Sequence, residues 1–371
     1  MKKLISILML CLLTSCMTPT MRLPSTTHLD VVKLRRQMLL DSIYKEIEVD
    51  KRAQTLFYNI KKSTGEDLCD KKLTPDLGIV YSMIQRFGIW WLASTEEKEK
   101  YEDYLKIYKH PENELFVSYV IKGSAADKAG IKSGDVISSI YGQKPPTGKT
   151  IAADILDILE ENQIEGLGVD IDIIRDGELI SLNFEPDMLC NYPLYVDTTD
   201  TVVNAYATGD EVYVTQGMMD KLTDDTLLSV VLAHELSHNV LGHVESSQIN
   251  MIGAMFLSSL SDIFLGTNIA NETTHYASVA YSKDFEHEAD TLGTYFVARA
   301  GLDYHRAKEM PAFLASLNYR SLYVDGDTHP RPQYRYAVIS EAINEIELKQ
   351  AFDEPLEPDF KKKNIFLKGK K

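Results

Sequence analysis

The stretch VVLAHELSHNVLGH, residues 230–243, constrains the fold of this chain more than any other. Val230, Val231, Leu232, Ala233, Leu236, Val240 and Leu241 mark a helix bound for a core, yet the same helix carries His234, Glu235, His238 and His243. Burying such groups is costly unless each is paired. His234 and His238 are four residues apart, so both imidazoles leave one face of a helix about one turn apart, as two ligands of one small ion must. Glu235 points about 100° away from His234. That places it near the open coordination position of a metal, where a glutamate can take a proton from zinc-activated water. Thr223 is the expected N-cap, with Asp224 and Asp225 in the first turn, so the helix is predicted over 224–243.

A five-residue HExxH pattern alone is weak, and it needs a third ligand from elsewhere. The segment YSKDFEHEADTLGTYFVARAG (281–301) has Phe285, Ala289, Leu292, Phe296 and Val297 as the apolar set of one helix, with Gly301 as its stop. Glu286 and Asp290 share a face at i and i+4. One carboxylate can complete a His2Glu site while the other accepts an imidazole N–H.

HELSH followed by EHEAD on a later helix resembles peptidase family M48. The resemblance implies one zinc ion per chain held by His234, His238 and Glu286, with Glu235 as the catalytic base and Asp290 in a supporting role. His243 matches an additional histidine common after the motif, expected to be structural rather than a ligand. NAYATGDEVYVTQGMM (204–219) is similar to the family's segment before the zinc helix, where an edge strand lies beside the substrate. DTHPRPQYR (327–335) resembles the family's HPxPxxR element. That implies a removable fourth ligand or switch at His329 and places Arg335 near the active site. His275, His287 and His305 have no partner at ligand spacing and are expected on the surface or in satisfied core positions.

Residues 112–186 differ in texture. VDIDII (169–174) and ISLNF (180–184) alternate around the turn residues Asp176 and Gly177, giving a two-stranded ribbon. Upstream, a strand from Phe116, a short helix capped by Ser124 and closed by Gly130, and a strand from Val136 are expected, with a further helix over 150–161. GSAADKAGIKSGDVI in that order resembles bacterial PDZ domains, which bind a peptide as an added strand. The loop before Phe116, HPENEL, lacks a glycine-rich carboxylate-binding signature. A structural β-module that binds nothing is the plainer alternative.

The first fifteen residues, MKKLISILMLCLLTS, combine two lysines, a short apolar run and small residues, as a secretory signal does. LTSC resembles the lipobox of bacterial lipoproteins, implying acylation of Cys16 and a membrane anchor that does not span the bilayer. Met17 after the cysteine favours the outer membrane. After the leader, Cys69 and Cys190 are the remaining thiols, and in an oxidising compartment they most simply pair. With 55 acidic against 39 basic residues, the surface repels nucleic acid. INMIGAMFLSSLSDIFLG (249–266) is apolar, but Asn250, Asp262 and three serines argue against a membrane span.

The expected fold class is α+β: a mostly helical, zincin-type metallopeptidase domain with a small edge β-sheet, plus an inserted PDZ β-module. The expected layout is a signal peptide over 1–15, a flexible tether over 16–28 and N-terminal helices of the peptidase domain over 29–110. The PDZ domain follows over 112–186, the catalytic domain over 187–350 and a basic tail over 351–371. The function so implied is a lipid-anchored zinc endopeptidase facing the periplasm, whose partners are unfolded or misassembled envelope proteins offered partly through the PDZ domain. The alternatives are a chaperone-like assembly factor with a latent zinc site and a peptide-binding scaffold without metal.

Overall fold

The computed structural model describes residues 28–82, 115–146, 151–162, 167–247, 270–317, 319–323 and 331–359. The leader, Cys16, the tether up to residue 27, most of HPENEL, the segment 249–266, His329 and the tail beyond 359 lie outside the described residues, as does the side chain of His275. The chain divides into two compact units, Met1–Lys45 and Glu46–Lys371. The described part of the first is the beginning of helix α1 (His28–Leu68), which exposes Leu34 and Met38.

In the second unit α1 buries Ala53, Phe57 and Ile60. Just beyond it a two-stranded antiparallel ribbon joins β1 (Leu73–Asp76) to β7 (Asp187–Cys190). Cys69 and Cys190 form a disulfide with their Cα atoms 5.7 Å apart, at the end of the ribbon where Leu73 faces Cys190. At the other end Asp76 faces Asp187, a like-charge pair that would open the ribbon. Lys61 lies 3.0 Å from Asp76 and Lys62 2.7 Å from Asp187, and Tyr58 donates its hydroxyl to Asp187 at 2.7 Å, so α1 neutralises both carboxylates.

The described residues between β1 and β7 form a module with its own core, which also touches α1 through Tyr119 and Ile121. Its antiparallel sheet has the order β2-β3-β4-β5-β6, with β2 at Ile79–Ser82, β3 at Phe116–Val120, β4 at Val136–Ile140, β5 at Val169–Arg175 and β6 at Glu178–Phe184. Two helices, α2 (Ala125–Ala129) and α3 (Ile151–Asn162), complete it. Ser124 caps α2 by accepting from the Asp127 N–H, and Gly130 ends it in the left-handed conformation. Asp176 and Gly177 both have positive φ, the turn that matches strand twist between β5 and β6. Ile137, Ile140, Ile155, Leu159, Ile171 and Ile173 fill the module's own core.

One boundary is corrected. Residues 79–82 were expected among the N-terminal helices over 29–110, but they form the edge strand of this sheet, so the module begins well before 112. A four-residue strand is too short for alternation to reveal it.

After β7 comes a three-stranded sheet of order β8-β10-β9, with β8 at Leu194–Asp197, β9 at Ala205–Ala207 and β10 at Val212–Thr215. β10 runs parallel to β8 and antiparallel to β9, which is an edge among the described residues. Then follow α4 (Gln216–Lys221), α5 (Asp225–Val240), α6 (Ala270–Arg299), α7 (Glu309–Leu317) and α8 (Pro332–Ala351). Leu228, Leu232 and Leu236 of α5 belong to one core with Phe57, Tyr192, Leu292 and Phe296, so the N-terminal helix and the C-terminal helices fold as one body around the inserted module. Helices and mainly antiparallel sheets are both present without a run of βαβ units, an α+β arrangement. None of the described helices is long and apolar enough to cross a membrane.

Two helix ends differ from the expectation. Asp224, not Thr223, caps α5: its carboxylate accepts from the Leu227 N–H, and Arg306 Nη1 donates to its two oxygens at 2.9 and 2.8 Å. α6 starts at Ala270 rather than near 281.

Candidate active site

The site forms where α5 lies against α6. Their approach is set by Gly293: a β-carbon there would sit 3.1 Å from the backbone nitrogen of His234, 3.2 Å from its Cα and 3.3 Å from the carbonyl carbon of Ala233. Only a residue without a side chain lets the two backbones come this close. Glu286 and Asp290 lie two turns and one turn before Gly293, and both are thereby carried to His234.

His234 Nε2 and His238 Nε2 are 3.1 Å apart. Glu286 Oε1 lies 3.2 Å from His238 Nε2, and Oε2 lies 3.5 Å from His234 Nε2. The three ligand atoms all lie within 4.8 Å of one another. Two imidazole nitrogens and one carboxylate are the donor set that zinc takes at catalytic centres, with a fourth position left open. Electrostatics agree with a cation there. Burial and Arg335 oppose charge on His234, yet Asp290 and Glu286 outweigh them and raise its pKa to about 10. A proton would thus sit where this cluster can hold a metal ion. A second cluster, Cys69, Asp70 and Cys190, offers no thiolate, because its sulfurs are bonded to each other.

The surroundings orient the ligands. Asp290 Oδ1 is 3.0 Å from His234 Nδ1, so the ring's other nitrogen is left facing the cluster. Arg335, from α8, grips Asp290 at 2.8 and 2.5 Å and lies 3.4 Å from Glu286. Burial works against ionisation of Asp290, but Arg335 and His234 hold its pKa below the usual carboxylate range. Arg335 is itself held charged by Asp290, Glu286 and Glu235 against the cost of burial. Glu235 is half-buried on the same helix as the two histidines, while His234 and Glu286 are buried.

Three other residues bear on the site. His243, expected to be structural rather than a ligand, is buried with its Nδ1 3.0 Å from His238 Nδ1. His287 is half-buried, and its buried Nε2 has no hydrogen-bond partner among the described residues. Asn239 was not singled out at all. It is buried, accepts from the Gly209 N–H at 2.8 Å and donates to the Glu211 carbonyl at 2.9 Å, pinning the β9–β10 hairpin to the histidine helix. The sequence signal was a polar residue on the buried face of α5 directly after HELSH. His305 is exposed, 3.7 Å from Glu347.

Residues 178–343, which include His234, Glu235, His238, Glu286, Asp290 and Arg335, match the family model of peptidase family M48. Residues 116–164 match that of the PDZ domain. The chain is 30% identical over 122 residues to the mitochondrial metalloendopeptidase OMA1 of Bos taurus, an alignment that covers 29% of this chain and 23% of that protein. The chain therefore spans less than a quarter of that relative's length. A solved structure titled as the HtrA-type protease AlgW with decapeptide is 20% identical, covering 31% of this chain and 30% of that one with a TM-score of 0.23, too slight a likeness to bear on the fold. The match to peptidase family M48 thus falls on the histidine cluster, and the match to the PDZ domain on the inserted sheet.

Proposed function

We propose that the chain is a zinc endopeptidase of the bacterial envelope, anchored through lipid on Cys16, that hydrolyses peptide bonds in misfolded or misassembled envelope proteins. The observation that carries the reading is the convergence of His234, His238 and Glu286 on one point, with Glu235 on the same helix. When bound, zinc would supply Lewis acidity toward the scissile carbonyl and make the attacking water more acidic. Glu235 is the group to take that water's proton and return it to the departing amine. Asp290 keeps the Nδ1 proton of His234 away from the cluster, and Arg335 balances the two buried carboxylates. The β9 edge, anchored by Asn239 to α5, offers main-chain pairing to an extended peptide. Such pairing selects extended chains over particular sequences, which suits unfolded substrates. The PDZ domain would add a second peptide contact.

The test compares wild type with Glu235→Gln on casein and on envelope extracts, together with zinc content. The proposal expects one zinc per chain, lost in His234→Ala, and cleavage by wild type that disappears in Glu235→Gln with zinc retained. Equal cleavage by both forms would refute it, and zinc without any cleavage would favour the chaperone-like alternative. For His329, the resemblance leads to the expectation that His329→Ala raises peptidase activity; an unchanged rate would remove the switch role. Incorporation of labelled fatty acid that is lost in Cys16→Ser tests the anchor.

A further inference from the structure

His238 is held differently from His234. Where His234 meets a carboxylate directly, the outer nitrogen of His238 meets a second histidine. The device begins at Gly242, whose φ of 64° turns the chain sharply after α5. The Gly242 N–H bonds back to the Asn239 carbonyl at 3.0 Å, and residues 243–247 resume a helical turn. This folds His243 back onto the site, 3% exposed, with its ring stacked on Phe285 of α6 at 4.4 Å and 14°. Its Nδ1 is 3.0 Å from His238 Nδ1, and its Nε2 is 3.1 Å from Glu288 Oε2.

Two ring nitrogens facing each other at that distance share one proton, so one donates and the other accepts. Glu288 decides which. Its carboxylate is an acceptor, so His243 Nε2 carries a hydrogen, and neutral His243 then presents a lone pair from Nδ1. His238 must donate from Nδ1, and its Nε2 is left as a lone pair facing His234 and Glu286. The opposite tautomer would aim an N–H into the ligand cluster. We infer that His243 and Glu288 are positioning residues that fix His238 in its ligand tautomer, making Glu288, His243 and His238 an ordered chain leading to the metal position. The inference rests on reading His238 as a metal ligand. Glu288 is 40% exposed and screened by water, so the buried His243 is the stronger link.

The test measures zinc affinity of the full chain by competition with a chelator, with no substrate present. His243→Phe keeps a ring over Phe285 but has no acceptor; it is expected to weaken zinc about 10- to 100-fold. His243→Asn places an amide oxygen near the lost Nδ1 and is expected to recover most of that loss, although it abandons the stack. Glu288→Leu is expected to weaken zinc about two- to fivefold. The visible absorption of the cobalt-substituted protein should shift in His243→Phe and return toward wild type in His243→Asn. Wild-type affinity in His243→Phe would overturn the inference. So would His243→Asn binding no better than His243→Phe, the pattern of a residue that only packs. His234→Ala separates the two levels: if it binds zinc like wild type, the metal centre itself is misread, whereas loss of zinc there with unchanged affinity in His243→Phe refutes the positioning chain alone.

Discussion

Replacing Gly293 by alanine separates the stability of the helix pair from the geometry of the site. The added methyl would lie 3.1–3.3 Å from backbone atoms of Ala233 and His234. Carbon contacts are comfortable at about 3.5–4.0 Å, so α5 and α6 must part by a few tenths of an ångström. Backbone cannot rotate aside as a flexible side chain would. Overpacking of this kind costs about 1–3 kcal/mol, while alanine in place of glycine inside a helix returns about 1 kcal/mol. Net destabilisation is therefore about 0–2 kcal/mol. The centre is less tolerant, since metal–ligand distances are held to about 0.2 Å. Asp290, one turn from Gly293, bonds His234 at 3.0 Å, and Glu286 lies a turn further. Gly293→Ala should thus weaken zinc about tenfold or more, while the melting temperature of the metal-free protein falls by no more than several degrees. Chelator competition and thermal melting in EDTA measure the two effects. Wild-type zinc affinity in Gly293→Ala would refute the idea that this contact sets the ligand spacing, and Gly293→Val should exaggerate both effects.

Other substitutions probe the supports. Arg335→Met leaves Asp290 and Glu286 buried without their cation and should cost about 3–5 kcal/mol; Arg335→Lys should recover little, because a lysine cannot span both oxygens of Asp290. Denaturant melts of the metal-free proteins check both. Asn239→Leu strands the Gly209 N–H and the Glu211 carbonyl, at about 1–3 kcal/mol for the exposed or unpaired groups. Protease nicking between 204 and 212 should rise in that variant, and unchanged nicking would deny the hairpin its anchor. Joining residues 121 apart, the Cys69–Cys190 bond should contribute about 4–5 kcal/mol through the unfolded chain. Paired Cys69→Ala and Cys190→Ala substitutions should lower the melting temperature accordingly.

The centre was legible because its chemistry repeats at helical spacing: His234 with His238, and Glu286 with Asp290, each lie one turn apart on a single helix. The disulfide, too, follows from a short list of candidates. Contacts that depend on long-range meetings were not legible. Nothing near Thr223 and Asp224 says that Arg306, some eighty residues on, favours the second as cap. His243 looked equivalent to any helix-end histidine until the turn at Gly242 folded it back. Ile79–Ser82 hid as a strand because its partner, β3, begins beyond a long intervening segment. Gly293 sits in an ordinary helical pattern, where a lone glycine signals only a mild penalty; its meaning comes from the helix packed against it.

The β1–β7 ribbon also bears on mechanics. The PDZ module leaves the distal end of that ribbon and also rests on α1, where Tyr119 donates its hydroxyl to Asp50 at 2.8 Å; once that contact is broken, force on the module would load the Asp76–Asp187 pair first and peel the ribbon open rung by rung. Peeling ends at the Leu73–Cys190 rung, where a covalent bond takes the tension. Beyond it lie Tyr192 and the strands that lead to the histidine helix. The bridge would thus limit how far the ribbon can open, keeping Cys69 and Cys190 together while the module is pulled.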